Sequence, residues 1–174
     1  MSSHNAQSPQ IIQIVGYKNT GKTTMVCRLT ERFAEAGYKV GTIKHDAHHF
    51  QIDTPDTDTW KHQAAGAHIT AISSSERSAV LYQQSQSLDE LIVAMNASVD
   101  IILIEGFKDA IYPKVIMIRS ASDFELIAKL YNPLAVALWP EMHAQAENEQ
   151  IRVPIVNYND IEQLFTLIDT RLQL

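Results

Sequence analysis

The segment Gly16 to Thr23 reads GYKNTGKT, and its residue types suit one task, holding a polyphosphate. It matches GxxxxGK[ST] at every fixed position. Gly16 and Gly21 leave the backbone free to curl around an anion where a Cβ would intrude. The loop residues Gly16, Tyr17, Lys18, Asn19, Thr20 and Gly21, continuing through Lys22, Thr23 and Thr24, are then expected to turn their N–H groups toward the phosphates of a nucleoside triphosphate. The helix that follows adds its positive N-terminal end. Lys22 is expected to bridge the β- and γ-phosphate oxygens, and Thr23 to place its hydroxyl on Mg²⁺. A chance match in a chain this long has odds of about one in a hundred. The motif also needs a strand before it and a helix after it, and the sequence supplies patterns for both.

Carboxylates complete such a site. Glu105 ends the apolar run IILI, and ligands of open α/β sheets bind beyond the carboxyl ends of the strands. Glu105 is therefore a candidate to hold Mg²⁺ through water or to orient an attacking water, a catalytic role it would share with Lys22. Asp46 follows a second strand and is a candidate second metal group. Asp100 precedes its strand, belongs on the opposite edge and reads as structural. His45, His48 and His49 surround Asp46, but adjacent His48 and His49 are awkward joint ligands, so a loop facing phosphate or a partner is the preferred reading. Arg28, Arg32 and Arg77 read as solvated charge, and Cys27 as a small core residue of the first helix.

The elements that must position these groups follow from periodicity. Ile11 to Val15 is a buried strand. Met25, Leu29 and Phe33 mark one helix face, and Gly37 supplies its stop. Tyr38 to Lys44 is the next strand, closing a βαβ unit. His45 to Gly66 is a polar loop containing Asp53, Pro55, Asp56 and Asp58, running into a helix near Trp60 to Ala65. His68 to Ser73 and Ser78 to Gln83 suggest a hairpin. Ser87 and Glu90 cap a helix through Leu88, Leu91, Ile92 and Met95. Strands follow at Asp100 to Ile104, Lys114 to Arg119, Leu134 to Leu138 and Ile155-Val156. Asn159 or Asp160 caps a last helix whose apolar face is Ile161, Leu164, Phe165, Ile168 and Leu172. This alternation predicts an α/β fold, a three-layer P-loop NTPase domain over residues 11–174 with a mostly parallel sheet and a β-hairpin insertion, preceded by a loose tail, residues 1–10.

Composition bounds the partners. The chain has 174 residues, 45% hydrophobic and 20% charged, with a net charge of −6. An acidic balance argues against nucleic acid and against anionic membrane surfaces. A single cysteine allows no internal disulfide, which fits a reducing compartment. The polar start MSSHNAQSPQ lacks the blocks of a signal peptide, and no apolar run is long enough to span a bilayer, so a cytoplasmic location is expected.

In order, GYKNTGKT, TIKHDAHHF with Asp53 and Pro55, AGAH, LIEGFK and PKVIMIR resemble the molybdopterin-guanine dinucleotide biosynthesis protein B family, from Ile11 to Arg119. The resemblance implies a GTP-binding accessory protein of molybdenum cofactor synthesis. It implies a homodimer with slow GTPase activity at most, working with a guanylyltransferase that attaches GMP to molybdopterin, itself a candidate ligand. By that resemblance Lys22 and Thr23 match the triphosphate and Mg²⁺ positions, and Asp46 and Glu105 the acidic positions around the metal. The chain departs from the family at Asp56-Thr57-Asp58, where Gly-Lys-Asp is usual, and at Trp139-Pro140, where small or acidic residues are expected. No NKxD guanine motif is present. Asn157-Tyr158-Asn159-Asp160 reads equally as a base-facing segment or a helix cap. The sequence leaves two other functions open. One is a P-loop kinase of a small metabolite, which needs a basic lid that the region after Trp139 does not show. The other is a nucleotide-gated binding module without turnover.

Overall fold

A computed structural model describes residues 8–46 and 50–172. His48, His49 and most of the expected N-terminal tail lie outside the described residues. The chain divides into two compact units, Met1–His45 with Ala94–Leu174, and Asp46–Val93.

The first unit is built on six strands, β1 (Gln10–Val15), β2 (Val40–Lys44), β5 (Ile101–Glu105), β6 (Lys114–Ile118), β7 (Pro133–Leu138) and β8 (Ile155–Asn157), in the order β2-β5-β1-β6-β7-β8. Every neighbouring pair is parallel. All five residues of β5 and of β6 are buried, which is why both read as nearly unbroken apolar runs. Against one face lie α1 (Lys22–Glu35) and α6 (Ile161–Leu172). Met25, Leu29 and Phe33 pack there with Leu164, Ile168, Ile14, Leu103 and Met117. Leu29 is fully buried, and Leu29→Ala would cost about 2–5 kcal/mol. The other face holds Val15, Ile116, Ile118, Val136 and Leu138 under Phe124, Leu126 and Ala146, from a 3-10 turn at Ala121–Phe124 and the short helices α4 (Glu125–Lys129) and α5 (His143–Ala146).

Helix α1 stops as its sequence dictates. Gly37 adopts φ 93°, and the Tyr38 N–H reaches back to the Phe33 carbonyl at 3.0 Å, a left-handed C-terminal cap. Tyr38 is thus part of the helix stop, and β2 begins at Val40 rather than at Tyr38. Cys27 is exposed, not a core residue, because it falls on the side of α1 away from Met25, Val26, Leu29 and Phe33.

The second unit contains α2 (Asp58–Ala64), the antiparallel hairpin of β3 (Ile69–Ser73) and β4 (Ser78–Tyr82), and the start of α3 (Leu88–Met95). Thr57 caps α2 through the Trp60 N–H. The Asp53 carboxylate accepts from the Thr57 hydroxyl and from Gln63 Nε2, tying the preceding loop to that helix. Ser87 and Glu90 exchange hydrogen bonds as a capping box at the start of α3. Ile69 and Tyr82 are paired in register, as are Ala71 and Val80, so the four share one face of the hairpin. Ile69, Val80 and Tyr82 are each about half exposed. No helix among the described residues is long and apolar enough to cross a membrane.

Candidate phosphate-binding site

Because all six strands run the same way, the residues just past their ends share one edge. β1 delivers the loop from Gly16 to Gly21, and α1 begins at Lys22. Asn19 and Gly21 sit at φ 63° and 91°, the left-handed conformations that tighten the curl. A Cβ on Gly16 would lie 2.6 Å from Thr20 Oγ1. The buried Thr20 hydroxyl donates to the Tyr17 carbonyl at 3.0 Å, and Lys22 Nζ donates to the same carbonyl at 2.6 Å. Burial pushes the Lys22 ammonium below the ordinary lysine range. The Glu105 carboxylate opposes that shift, while Lys108 and Lys44 reinforce it.

Thr23 Oγ1 donates to both Glu105 carboxylate oxygens, at 2.9 and 3.0 Å. Glu105 is 8% exposed, and Lys44 Nζ lies 3.7 Å from its Oε1. A hydroxyl and a buried carboxylate converging beside a phosphate loop form an oxygen donor set that fits a hard divalent cation such as Mg²⁺. Asp46 follows β2 by two residues and opens the second unit. The His45 ring packs at 4.6 Å on Phe107, a packing contact that sequence reading did not foresee. The Asp100 carboxylate accepts from the Lys39 N–H at the opposite edge, as expected for a structural residue.

A cavity of about 620 Å³ is lined by Lys18, Asn19, Gly21, Lys22, Thr23 and Thr24 of the loop, together with Lys44, Glu105, Arg119, Trp139 and Tyr158. That is a size typical of small-molecule sites. Gly16, Tyr17 and Thr20 shape the loop without lining the cavity. Of the last three lining residues, Arg119 and Trp139 were not foreseen as site residues, whereas Tyr158 falls in the segment read as base-facing or as a helix cap. Each is the first residue past its strand, β6, β7 and β8 respectively. The Trp139 and Tyr158 rings stack at 4.2 Å with 13° between their planes. Trp139 Nε1 donates to the Thr20 carbonyl at 2.9 Å. The Arg119 guanidinium lies 4.4 Å over the Trp139 ring and donates to the Asn19 carbonyl. These contacts brace the loop from the β7 and β8 side.

Two arginines expected to be solvated are engaged instead. Arg28 donates to the carbonyls of Tyr158 and Asn159 at 2.9 and 2.8 Å. Arg32 pairs with Glu162 at 2.7 Å and lies 3.9 Å over Phe165. Both join α1 to the segment around α6, a tertiary role that isolated arginines do not advertise. Arg77 is exposed. The segment Asn157 to Asp160 forms the expected cap, with Asp160 Oδ1 accepting from the Gln163 N–H at 3.0 Å, while its Tyr158 lines the cavity.

The family model described as "Molybdopterin guanine dinucleotide synthesis protein B" matches residues 11–139. The chain is 33% identical over 153 residues to a probable molybdopterin-guanine dinucleotide biosynthesis adapter protein of Bacillus subtilis, covering 86% of each chain. The crystal structure of Bacillus subtilis MobB superposes with a TM-score of 0.74 at 30% identity, covering 91% of this chain and 97% of that one. A MobB protein homolog from Bacillus stearothermophilus superposes with a TM-score of 0.71 at 26% identity, covering 92% and 99%.

Proposed function

Given that this chain belongs to the molybdopterin guanine dinucleotide synthesis protein B family, we propose that it is a GTP-binding adapter in molybdopterin-guanine dinucleotide biosynthesis. The observation that carries this reading is the convergence of Lys22, Thr23 and Glu105 on the cavity beside the phosphate loop. Lys22 neutralises the β- and γ-phosphates. Thr23 and Glu105 hold Mg²⁺, which screens phosphate charge when bound, and Asp46 is a further acidic group for it. Glu105 is engaged by Thr23 and close to Lys44, which suits metal binding better than water activation and supports slow hydrolysis at most.

The relatives are named adapters, so the chemistry belongs to a partner, a cytoplasmic guanylyltransferase acting on molybdopterin. The half-exposed face of Ile69, Val80 and Tyr82 is the proposed contact between two copies of the chain, since exposed apolar strand surface is covered in most native proteins. The deciding experiment is competition between GTP and ATP for the purified protein with Mg²⁺. Equal affinity for both overturns the guanine assignment, and binding of neither overturns the nucleotide reading.

A further inference from the structure

The connection from β5 to β6 spans residues 106–113, and the sheet order places β1 between those strands. A parallel crossover ordinarily needs a dozen or more residues and a helix to satisfy its own backbone. This one has neither; a single turn within it brings the Ala110 N–H to the Phe107 carbonyl at 2.9 Å, and the other carbonyls need partners from elsewhere. The sheet supplies them. Gln13 Nε2, from β1, donates to the carbonyls of Gly106 and Phe107 at 3.0 and 2.7 Å. Lys114 Nζ, from β6, donates to the carbonyls of Ala110 and Tyr112. Gln13 and Lys114 are cross-strand partners in the β1–β6 register, and both side chains are fully buried.

Neither residue belongs in a core built only for packing. A buried amide or ammonium is costly unless it is well partnered. Gln13 Oε1 has no hydrogen-bond partner among the described residues, and burial pushes the Lys114 ammonium below its ordinary range. Both groups face carbonyls, so only their donors are useful, which also fixes the orientation of the Gln13 amide. What Gln13 grips is unusual backbone, while Lys114 holds the far half of the crossover. Gly106 and Phe107 are consecutive left-handed residues, φ 98° and 51°, directly after Glu105. Such strain persists only where the surroundings hold it. Lys108 follows, with its ammonium 4.3 Å over the Tyr17 ring of the phosphate loop.

We propose that Gln13 and Lys114 are positioning residues, a buried two-point clamp on the β5–β6 crossover that sets the Glu105 carboxylate against Thr23 and the Lys108 ammonium against Tyr17. The clamp rests on the nucleotide-binding reading only for its metal-dependent readout. The test uses Gln13→Leu and Lys114→Met in the full chain, each checked for folding by circular dichroism. In both variants the amides of residues 106–112 should exchange with solvent ~10-fold faster, as expected for loss of a buried hydrogen bond. The amide and methyl resonances of Thr23 should shift without any ligand. Mg²⁺-dependent GTP affinity should fall ~3–10-fold, with affinity in chelator unchanged. Unchanged exchange in a folded variant overturns the clamp. Faster exchange with unmoved Thr23 resonances overturns the positioning role and leaves a merely structural one. If Gln13→Leu does not fold, Lys114→Met, which keeps the Gln13 contacts, decides by the same readouts. A parent protein that binds no GTP refutes the functional reading, while exchange and Thr23 still judge the clamp.

Discussion

The ring of Tyr158 sits so close to Gly21 that a Cβ on that glycine would come within 2.8 Å of it. Gly21 also holds φ 91°, so it is required twice, for conformation and for space. Gly21→Ala should lower stability by about 1–3 kcal/mol, the usual cost of left-handed strain or overpacking. It should also reduce nucleotide binding, read by thermal melting and titration calorimetry. A variant that melts and binds like the parent would show that the loop tolerates a quite different conformation.

Lys22→Ala removes the ammonium and its hydrogen bond to the Tyr17 carbonyl, which keeps the Thr20 hydroxyl as donor. GTP affinity should fall ~10-fold or more, since a charge-assisted hydrogen bond contributes about 1.5–3 kcal/mol. The intact residue also predicts a pH effect. Burial holds the ligand-free ammonium below its ordinary 10.5, and bound phosphate should raise it again. Between those two values the complex carries a proton that the free protein lacks, so binding takes up a proton and weakens as pH rises through that window. Calorimetry in buffers of different ionisation enthalpy measures the uptake, which should vanish in Lys22→Ala.

Glu105→Gln keeps the size of the side chain and removes its charge. Any GTP hydrolysis should disappear while binding is retained, and the Mg²⁺ dependence of binding should shrink. Asp46→Asn should weaken that metal dependence too. Turnover and affinity with Mg²⁺ and with chelator separate the outcomes. Parent-rate hydrolysis by Glu105→Gln would make the carboxylate structural.

Trp139→Phe preserves an aromatic ring against Tyr158 but loses the donor to the Thr20 carbonyl. An orphaned buried carbonyl costs about 1–3 kcal/mol. The expected signature is a lower melting temperature with weaker GTP binding. Equal melting and binding would show that the indole N–H does not hold the loop.

Val80→Lys places a charge in the middle of the exposed hairpin face. It should shift a dimer to monomer in sedimentation at micromolar concentration, with the melting of a monomeric reference little changed, because Val80 is half exposed. A parent that sediments as a monomer would refute the contact.

The phosphate loop, Glu105 and the strands could be read from the chain because each is a local pattern, a fixed spacing or a short apolar run. Arg119, Trp139 and Tyr158 could not be read as neighbours, because only the order β1-β6-β7-β8 brings them to the loop, and nothing local encodes that order. A weaker signal was present. Past the ends of β6, β7 and β8 stood an arginine, a tryptophan and a tyrosine, where ligands approach. Gln13 was visible too, as the polar residue inside QIIQIV, although its purpose lies in a segment some ninety positions away. The helices at Glu125–Lys129 and His143–Ala146 are too short to show a period. Arg28 and Arg32 were misread because an isolated arginine gives no hint of a tertiary partner.

The parallel sheet makes strand register the ruler of the cavity. Slipping any strand by one residue moves its site residue by about 3.3 Å and turns its apolar side chains to the opposite face. Core packing that forbids the slip therefore enforces the site geometry, and the cavity cannot assemble in part. Ligand affinity and sheet cooperativity then become one quantity measured in two ways. Nucleotide at a hundred times its Kd should add about 2.7 kcal/mol to global unfolding, and it should protect the interior of all six strands together, including those far from the phosphates.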